Sequence, residues 1–208
     1  MWYWIGAHLL HIIFRNFLHL KVYGKENIPK EGAVIVAANH ISYLDPPLLG
    51  VAMMPYRKLY YIAKRELFRI PILGLILRLV NAFPVKRGMP DRVALKKALN
   101  LLKKGEAVCI FPEGTRSRDG RLQEPELGIS VLVQKSGAPV LPVAVINTDK
   151  ALPRNAIMLH PAKIRVYIGK PFHPSTEGEP KEVRKRIARE VMEKIRELLE
   201  MGKSVNRG

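Results

Sequence analysis

Short segments, most of them largely apolar and the first rich in β-branched residues, punctuate this chain at residues 33–37, 59–63, 83–87, 107–111, 140–146 and 163–168. Their length and their bounding glycines, prolines and charges predict strands. A further short strand, leading into a turn at Gly24 and Pro29, is predicted within residues 21–30. Between these runs, residues 67–82, 91–102, 125–135 and 182–199 carry the spacing of helices. The first of them is interrupted by Pro71, Gly74 and Arg78, too broken to cross a bilayer, and reads as a core or membrane-touching helix. Strands alternating with helices predict an α/β fold: a single domain with a mixed, mostly parallel central sheet flanked by helices. The chain has 208 residues and is 48% hydrophobic, which suits one sizeable core and not two.

The amino-terminal segment has a different pattern. Residues 2–20 are strongly apolar, yet His8, His11, Arg15 and His19 recur so as to fall on one narrow stripe of a helix turning about 100° per residue. A secretory signal would open with positive charge and close at a small-residue cleavage site, and neither is present. Three histidines and an arginine make a poor spanning helix. An amphipathic helix lying in a membrane interface, with Trp2, Tyr3 and Trp4 at headgroup level, fits the pattern better. The competing reading is a helix packed on the protein's own core. The expected division is therefore an interfacial helix over 1–20 and a globular domain over 21–208.

Charge narrows the partners. A formal net charge of +17 implies an anionic one: nucleic acid, an acidic membrane surface, or acidic substrates and carriers. No recognition helix or aromatic RNA-binding block is visible, and Glu182, Glu190, Glu193, Glu197 and Glu200 interleave with the basic residues of the last helix, which reads as a solvated, ion-paired face. No nucleic-acid partner is expected. Cys109 is the one cysteine, so no internal disulfide can form; it sits in an apolar run as a buried free thiol, in keeping with a reducing cytosol.

Two polar segments follow predicted strands. In Asn39-His40-Ile41-Ser42-Tyr43-Leu44-Asp45-Pro46-Pro47, His40 and Asp45 stand five residues apart, about 140° around a single helix, where they could not meet. They meet if His40 lies in the loop and Asp45 in the first helical turn, where Pro46 and Pro47 are tolerated and Ser42 can cap. This puts an imidazole at the carboxyl edge of the sheet, where ligand sites of open α/β sheets lie. A carboxylate on one ring nitrogen leaves the other as a proton acceptor. With no Gly-x-Ser-x-Gly elbow in the chain, the hydroxyl to be deprotonated would belong to a substrate. Taken alone, the pair is equally a histidine satisfied by a carboxylate in a turn. The second segment, Phe111-Pro112-Glu113-Gly114-Thr115-Arg116-Ser117, reaches the same edge: Gly114 permits close backbone approach, Thr115 can donate, and Arg116 offers a fork suited to phosphate.

Together these segments resemble the His-x4-Asp and Phe-Pro-Glu-Gly-Thr-Arg-Ser blocks of the glycerolipid acyltransferases, and within them the bacterial 1-acyl-glycerol-3-phosphate acyltransferases. Phe83-Pro84-Val85-Lys86-Arg87 stands in the place of an intermediate block ending in arginine, and Val140-Leu141-Pro142-Val143-Ala144 resembles a fourth. Order and spacing agree from about residue 22 to 172. The resemblance implies that His40, oriented by Asp45, deprotonates the sn-2 hydroxyl of lysophosphatidic acid, which attacks an acyl thioester to give phosphatidic acid. Arg87 and Arg116 would hold the acceptor phosphate, with Lys64 a further candidate, while Glu113 and Gly114 would shape the acceptor pocket and Thr115 would add to substrate binding. Residues 67–79 are candidates for the acyl groove. No metal or organic cofactor is implied; acyl-CoA or acyl-carrier protein serves as co-substrate, at the cytoplasmic face of an anionic membrane, with the protein peripheral or monotopic. One position departs from the pattern: where relatives often carry a lysine just before a glycine, Glu126-Leu127 precede Gly128, which leaves Arg121 as the substitute cation. The alternatives are an acyltransferase for glycerol 3-phosphate or another lysolipid, and a non-catalytic membrane- or carrier-binding protein on the same scaffold.

Overall fold

The computed structural model describes residue 12 and residues 14–86, 91–154, 156 and 158–205. Seven strands form one sheet: β1 (Lys21–Tyr23), β2 (Val34–Ala38), β3 (Leu59–Lys64), β4 (Ala82–Val85), β5 (Ala107–Ile110), β6 (Val140–Ile146) and β7 (Arg165–Ile168), in the order β1-β7-β6-β2-β5-β3-β4. β2 to β6 run parallel, while β7 pairs antiparallel with β6 and carries β1 parallel beside it. The mixed, mostly parallel sheet expected from the alternation is therefore present. Strand β2 is buried at all five positions, as a strand covered on both faces must be.

Its side chains alternate between two layers. Val34, Val36 and Ala38 face one core together with Leu48 and Leu49 of helix α1 (Asp45–Ala52). Ile35 and Ala37 face the other, packed with helices α3 (Arg92–Lys103), α4 (Gly128–Ser136) and α6 (Pro180–Val205). Helix α2 (Pro71–Leu79) follows β3, and α5 (Thr148–Ala151) is a single turn after β6. The connection from β2 thus leaves across one face through α1, and that from neighbouring β5 across the opposite face through α4. Adjacent strands whose connections part in this way open a crevice at their carboxyl ends, the ligand position of open α/β sheets.

Three differences from the sequence expectations have physical causes. Helix α4 starts at Gly128 instead of 125, because the preceding loop folds back and the Glu126 N–H donates to the Pro112 carbonyl at 2.8 Å. Helix α5 is too short for any periodicity to show. Phe14 and Leu18 are buried in the α1-side core, at 2% and 0% exposure, whereas Ile12 and Phe17 are exposed. So the end of the amino-terminal segment packs on the protein's own core, each such side chain contributing about 1.5–3 kcal/mol. Trp2, Tyr3, Trp4, His8 and His11 lie outside the described residues. Among the described residues no helix is long and apolar enough to cross a membrane.

Candidate active site

The register of β2 against β5 pairs Ala37 with Ile110, so the chain leaves both strands at the same level. Asn39 takes the first step beyond β2. Its amide donates to the Val145 carbonyl at 2.9 Å and accepts from the Val145 N–H at 2.7 Å, extending the contact with β6 by a side chain. His40 comes next, 8% exposed. Its Nδ1 lies 2.8 Å from Asp45 Oδ2, and its ring stacks on Phe111 with centroids 4.1 Å apart. The same carboxylate oxygen accepts the N–H groups of Ile41 at 2.7 Å and Ser42 at 2.8 Å. The carboxylate therefore closes the turn that holds the imidazole. Asp45 is the first residue of α1, with Pro46 and Pro47 behind it, the corner that the five-residue spacing requires.

Ser42 does not cap that helix. The cap residue is Leu44, which has no side-chain cap bond; the Ser42 hydroxyl instead accepts from the Leu44 N–H at 3.3 Å and donates to the Leu152 carbonyl at 3.2 Å. The remaining carboxylate oxygen, Asp45 Oδ1, accepts from the Thr148 hydroxyl at 2.5 Å. Asn39 and Thr148 are polar residues to which the motifs assign no role. Thr148 carries one signal, its place two residues beyond a strand that ends at the same edge.

The loop after β5 is tied to the first by its own carboxylate. Glu113 is 3% exposed and accepts the His40 N–H at 2.7 Å and the Gln123 N–H at 2.9 Å, while the Ser117 N–H donates to the His40 carbonyl at 2.8 Å. Burial holds the Glu113 carboxyl above the usual carboxylate range, with the two backbone N–H groups pulling the other way. Glu113 thus points into the protein and shapes the loop from within. Gly114 adopts a left-handed φ of 67°, where a side chain would be strained and would collide with the Glu126 carboxyl. Thr115 is exposed, its hydroxyl 3.3 Å from the Arg116 carbonyl. The Arg116 guanidinium carbon lies 3.4 Å from the centroid of the Tyr43 ring, a cation–π stack that joins the two loops on their outer side.

The other expected cations are farther out. Lys64 ends β3, separated from β2 by β5, and its half-exposed ammonium is 4.0 Å from Glu66. Arg121 is 87% exposed beside Asp119, at 3.8 Å. Arg87 lies outside the described residues; the strand before it, β4, forms the edge of the sheet.

Beside the dyad lies a cavity of about 540 Å³ between α3, α4 and the sheet. Phe111 and Gly114 line it where it meets the site, and Ala94, Ala98, Val131 and Leu132 line it between the helices. The small residues Ala94 and Ala98, one turn apart on α3, leave that space open. Among the described side chains, none from residues 67–79 lines this cavity. Asp91, Lys86, Arg92 and Glu126 are among its polar lining.

An imidazole with one nitrogen held by a buried carboxylate can accept a proton at the other. Set at a sheet crevice beside an apolar cavity and the half-buried Arg116, it gives an α/β fold equipped for group transfer to a hydroxyl. Comparison with known proteins agrees with that class. The Acyltransferase family model matches residues 19–146, and the chain belongs to that family. The 1-acyl-sn-glycerol-3-phosphate acyltransferase of Bacillus subtilis is 35% identical over 168 residues, 80% of this chain and 80% of the relative. The chloroplastic 1-acyl-sn-glycerol-3-phosphate acyltransferase LPAT1 of Arabidopsis thaliana is 34% identical over 76% of this chain, which spans 45% of that longer protein. Among solved structures, the 1-acyl-sn-glycerophosphate (LPA) acyltransferase PlsC of Thermotoga maritima superposes with a TM-score of 0.73 at 32% identity, covering 95% of this chain and 78% of that one.

Proposed function

We propose that this enzyme transfers a fatty acyl group from an acyl thioester to the sn-2 hydroxyl of lysophosphatidic acid, giving phosphatidic acid. The observation that carries this reading is the His40 Nδ1–Asp45 bond of 2.8 Å at the sheet crevice, which leaves Nε2 to act as base. Nε2 takes the hydroxyl proton as the oxygen attacks the thioester carbonyl. Collapse of the tetrahedral intermediate expels the thiolate, which recovers that proton from the imidazolium, so the histidine ends as it began. Asp45 favours the imidazolium formed midway and holds the ring in the tautomer that the first step needs. The exposed face of Arg116, with Arg87 and Lys64 as further cations, attracts the acceptor phosphate. The cavity between α3 and α4 takes the acyl chain.

The reaction takes place at the cytoplasmic face of an anionic membrane. Tyr43, Ile70, Leu127 and Met158 are exposed in connections that leave the carboxyl ends of β2, β3, β5 and β6, around the same crevice. Together with the net charge of +17 they favour an interface position with the crevice toward lipid. Because Phe14 and Leu18 belong to the core, the segment to remove in a test is 1–11, not 1–20. Its deletion is expected to release folded protein from anionic vesicles in a sedimentation assay, and full retention would refute anchoring by that segment.

The decisive experiment compares purified parent and His40→Ala with acyl-CoA and acyl-carrier-protein donors against lysophosphatidic acid, glycerol 3-phosphate and other lysolipids. Loss of the base should lower the rate by about 10²–10⁴ with the fold preserved. Equal rates would sink the mechanism, and preference for another acceptor would reassign the substrate.

A further inference from the structure

We infer that Thr148 is a positioning residue of this reaction: its hydroxyl sets the Asp45 carboxylate that in turn orients His40, a role that rests on the reading of His40 as base. The carboxylate is completely buried, so all of its acceptor capacity must be met from within the protein. Oδ2 meets three donors, His40 Nδ1 and the N–H groups of Ile41 and Ser42. Those three lie within five residues of Asp45 and are local to its own turn. Oδ1 meets the Thr148 hydroxyl, 103 residues away along the chain. At 2.5 Å this is the shortest of the four contacts, at the short end of the range for a hydroxyl bonded to an ionised carboxylate. A carboxylate held on one oxygen can still swing about its side-chain bond, whereas one held on both oxygens cannot. Thr148 thus fixes the plane in which Oδ2 meets the imidazole.

The surroundings of Thr148 fit this role. It is completely buried and opens α5, directly after Asn147, whose left-handed φ of 67° turns the chain from the end of β6 toward the dyad. Two more contacts press the same stretch against the dyad loop: the paired bonds between Asn39 and Val145, and the bond from the Ser42 hydroxyl to the Leu152 carbonyl. The segment 145–152 is therefore the wall against which the His40–Asp45 corner is set, and Thr148 is its contact with the carboxylate.

The test uses the full chain with Thr148→Val, Thr148→Ser and Thr148→Cys, assayed for kcat and for both KM values with an acyl-CoA donor and lysophosphatidic acid. Valine keeps the shape and removes the donor; it should lower kcat on the order of tenfold or more and leave both KM values within about twofold. Serine should restore most of the lost kcat, and cysteine, a weaker donor, should fall between the two. Parent-like kcat in the valine variant would overturn the inference. If that variant does not fold, the serine and cysteine variants still decide, because equal kcat in both would overturn it. In an Asp45→Asn background Thr148→Val should add little, and a full additive loss would assign Thr148 to the fold instead of to the carboxylate. His40→Ala run alongside separates the two levels: activity in that variant removes the base, whereas an unaffected valine variant beside an inactive His40→Ala removes Thr148 alone.

Discussion

The two loops that meet at the sheet crevice are built on opposite principles. The loop after β2 is closed: Asn39, His40, Ser42 and Asp45 are all buried, and apart from His40 Nε2 their polar side-chain atoms are held by backbone, by one another or by Thr148. The loop after β5 is more open: Arg118 and Arg121 are exposed and Arg116 rests on a Tyr43 ring that is itself 55% exposed, while Glu113 and Ser117 are buried against the first loop. The difference matches the task assigned to each. A base must hold its geometry before substrate arrives, so the buried polar groups around Nε2 serve rigidity and Nε2 alone is kept for the substrate. A phosphate clamp must keep donors free for an anion, so its loop leaves guanidinium groups in solvent and is anchored by the buried Glu113 carboxylate together with the Ser117 N–H.

Breaking that anchor should have the largest effect. Glu113→Ala removes the acceptor for the His40 and Gln123 N–H groups, so it couples failure of the open loop to misplacement of the base. We expect destabilisation of about 1–3 kcal/mol for each buried donor left unpaired, together with a fall in kcat, measured by thermal unfolding and turnover. A variant as stable and active as the parent would mean the two loops are not joined through this carboxylate. The pH dependence sharpens the point. Because burial raises the Glu113 pKa, the folded chain holds this proton more tightly than the unfolded one. Its contribution is most favourable below the ordinary value of 4.5 and declines as the pH rises through the raised one. Glu113→Gln should flatten that decline in a series of unfolding measurements; an unchanged slope would place its origin elsewhere.

A smaller effect, confined to the open loop, is expected from Arg116→Ala. The KM for a phosphate-bearing acceptor should rise about ten- to a hundredfold, as loss of a charge-assisted bond of roughly 1.5–3 kcal/mol implies, while the KM for the acyl donor holds. Equal changes in both constants would remove Arg116 from the clamp. The smallest effect belongs to Tyr43→Ala, which frees the guanidinium without deleting it. An exposed cation–π contact contributes about 0.5–1 kcal/mol, so the acceptor KM should rise by only a few-fold. A loss equal to that of Arg116→Ala would show that the stack, and not the charge, does the binding.

Much of this site is legible in the sequence, because its parts announce themselves locally. The His40–Asp45 spacing demands a loop-to-helix corner, and α1 begins at Asp45; the expected strands place both loops at one sheet edge, and the register delivers them together. Other readings depend on orientation, which spacing does not carry. The resemblance has Glu113 shape the acceptor pocket without saying which way its carboxylate faces, which is inward; Ser42 is suited to capping and instead bridges to Leu152. The cavity beside the site is left open by two alanines on α3, a gap that no apolar count reveals.

Short-range physics explains the division. Strand and helix identity, the corner at Asp45 and the basic surplus follow from residues close in sequence, so the chain determined its fold class and the position of its chemistry alone. The bond from Thr148 to Asp45 spans 103 residues, and the clasp from Glu113 to His40 spans 73. Contacts over such separations exist because a parallel sheet brings distant strand ends to one edge, and which side chain turns toward which partner was decided by the tertiary structure.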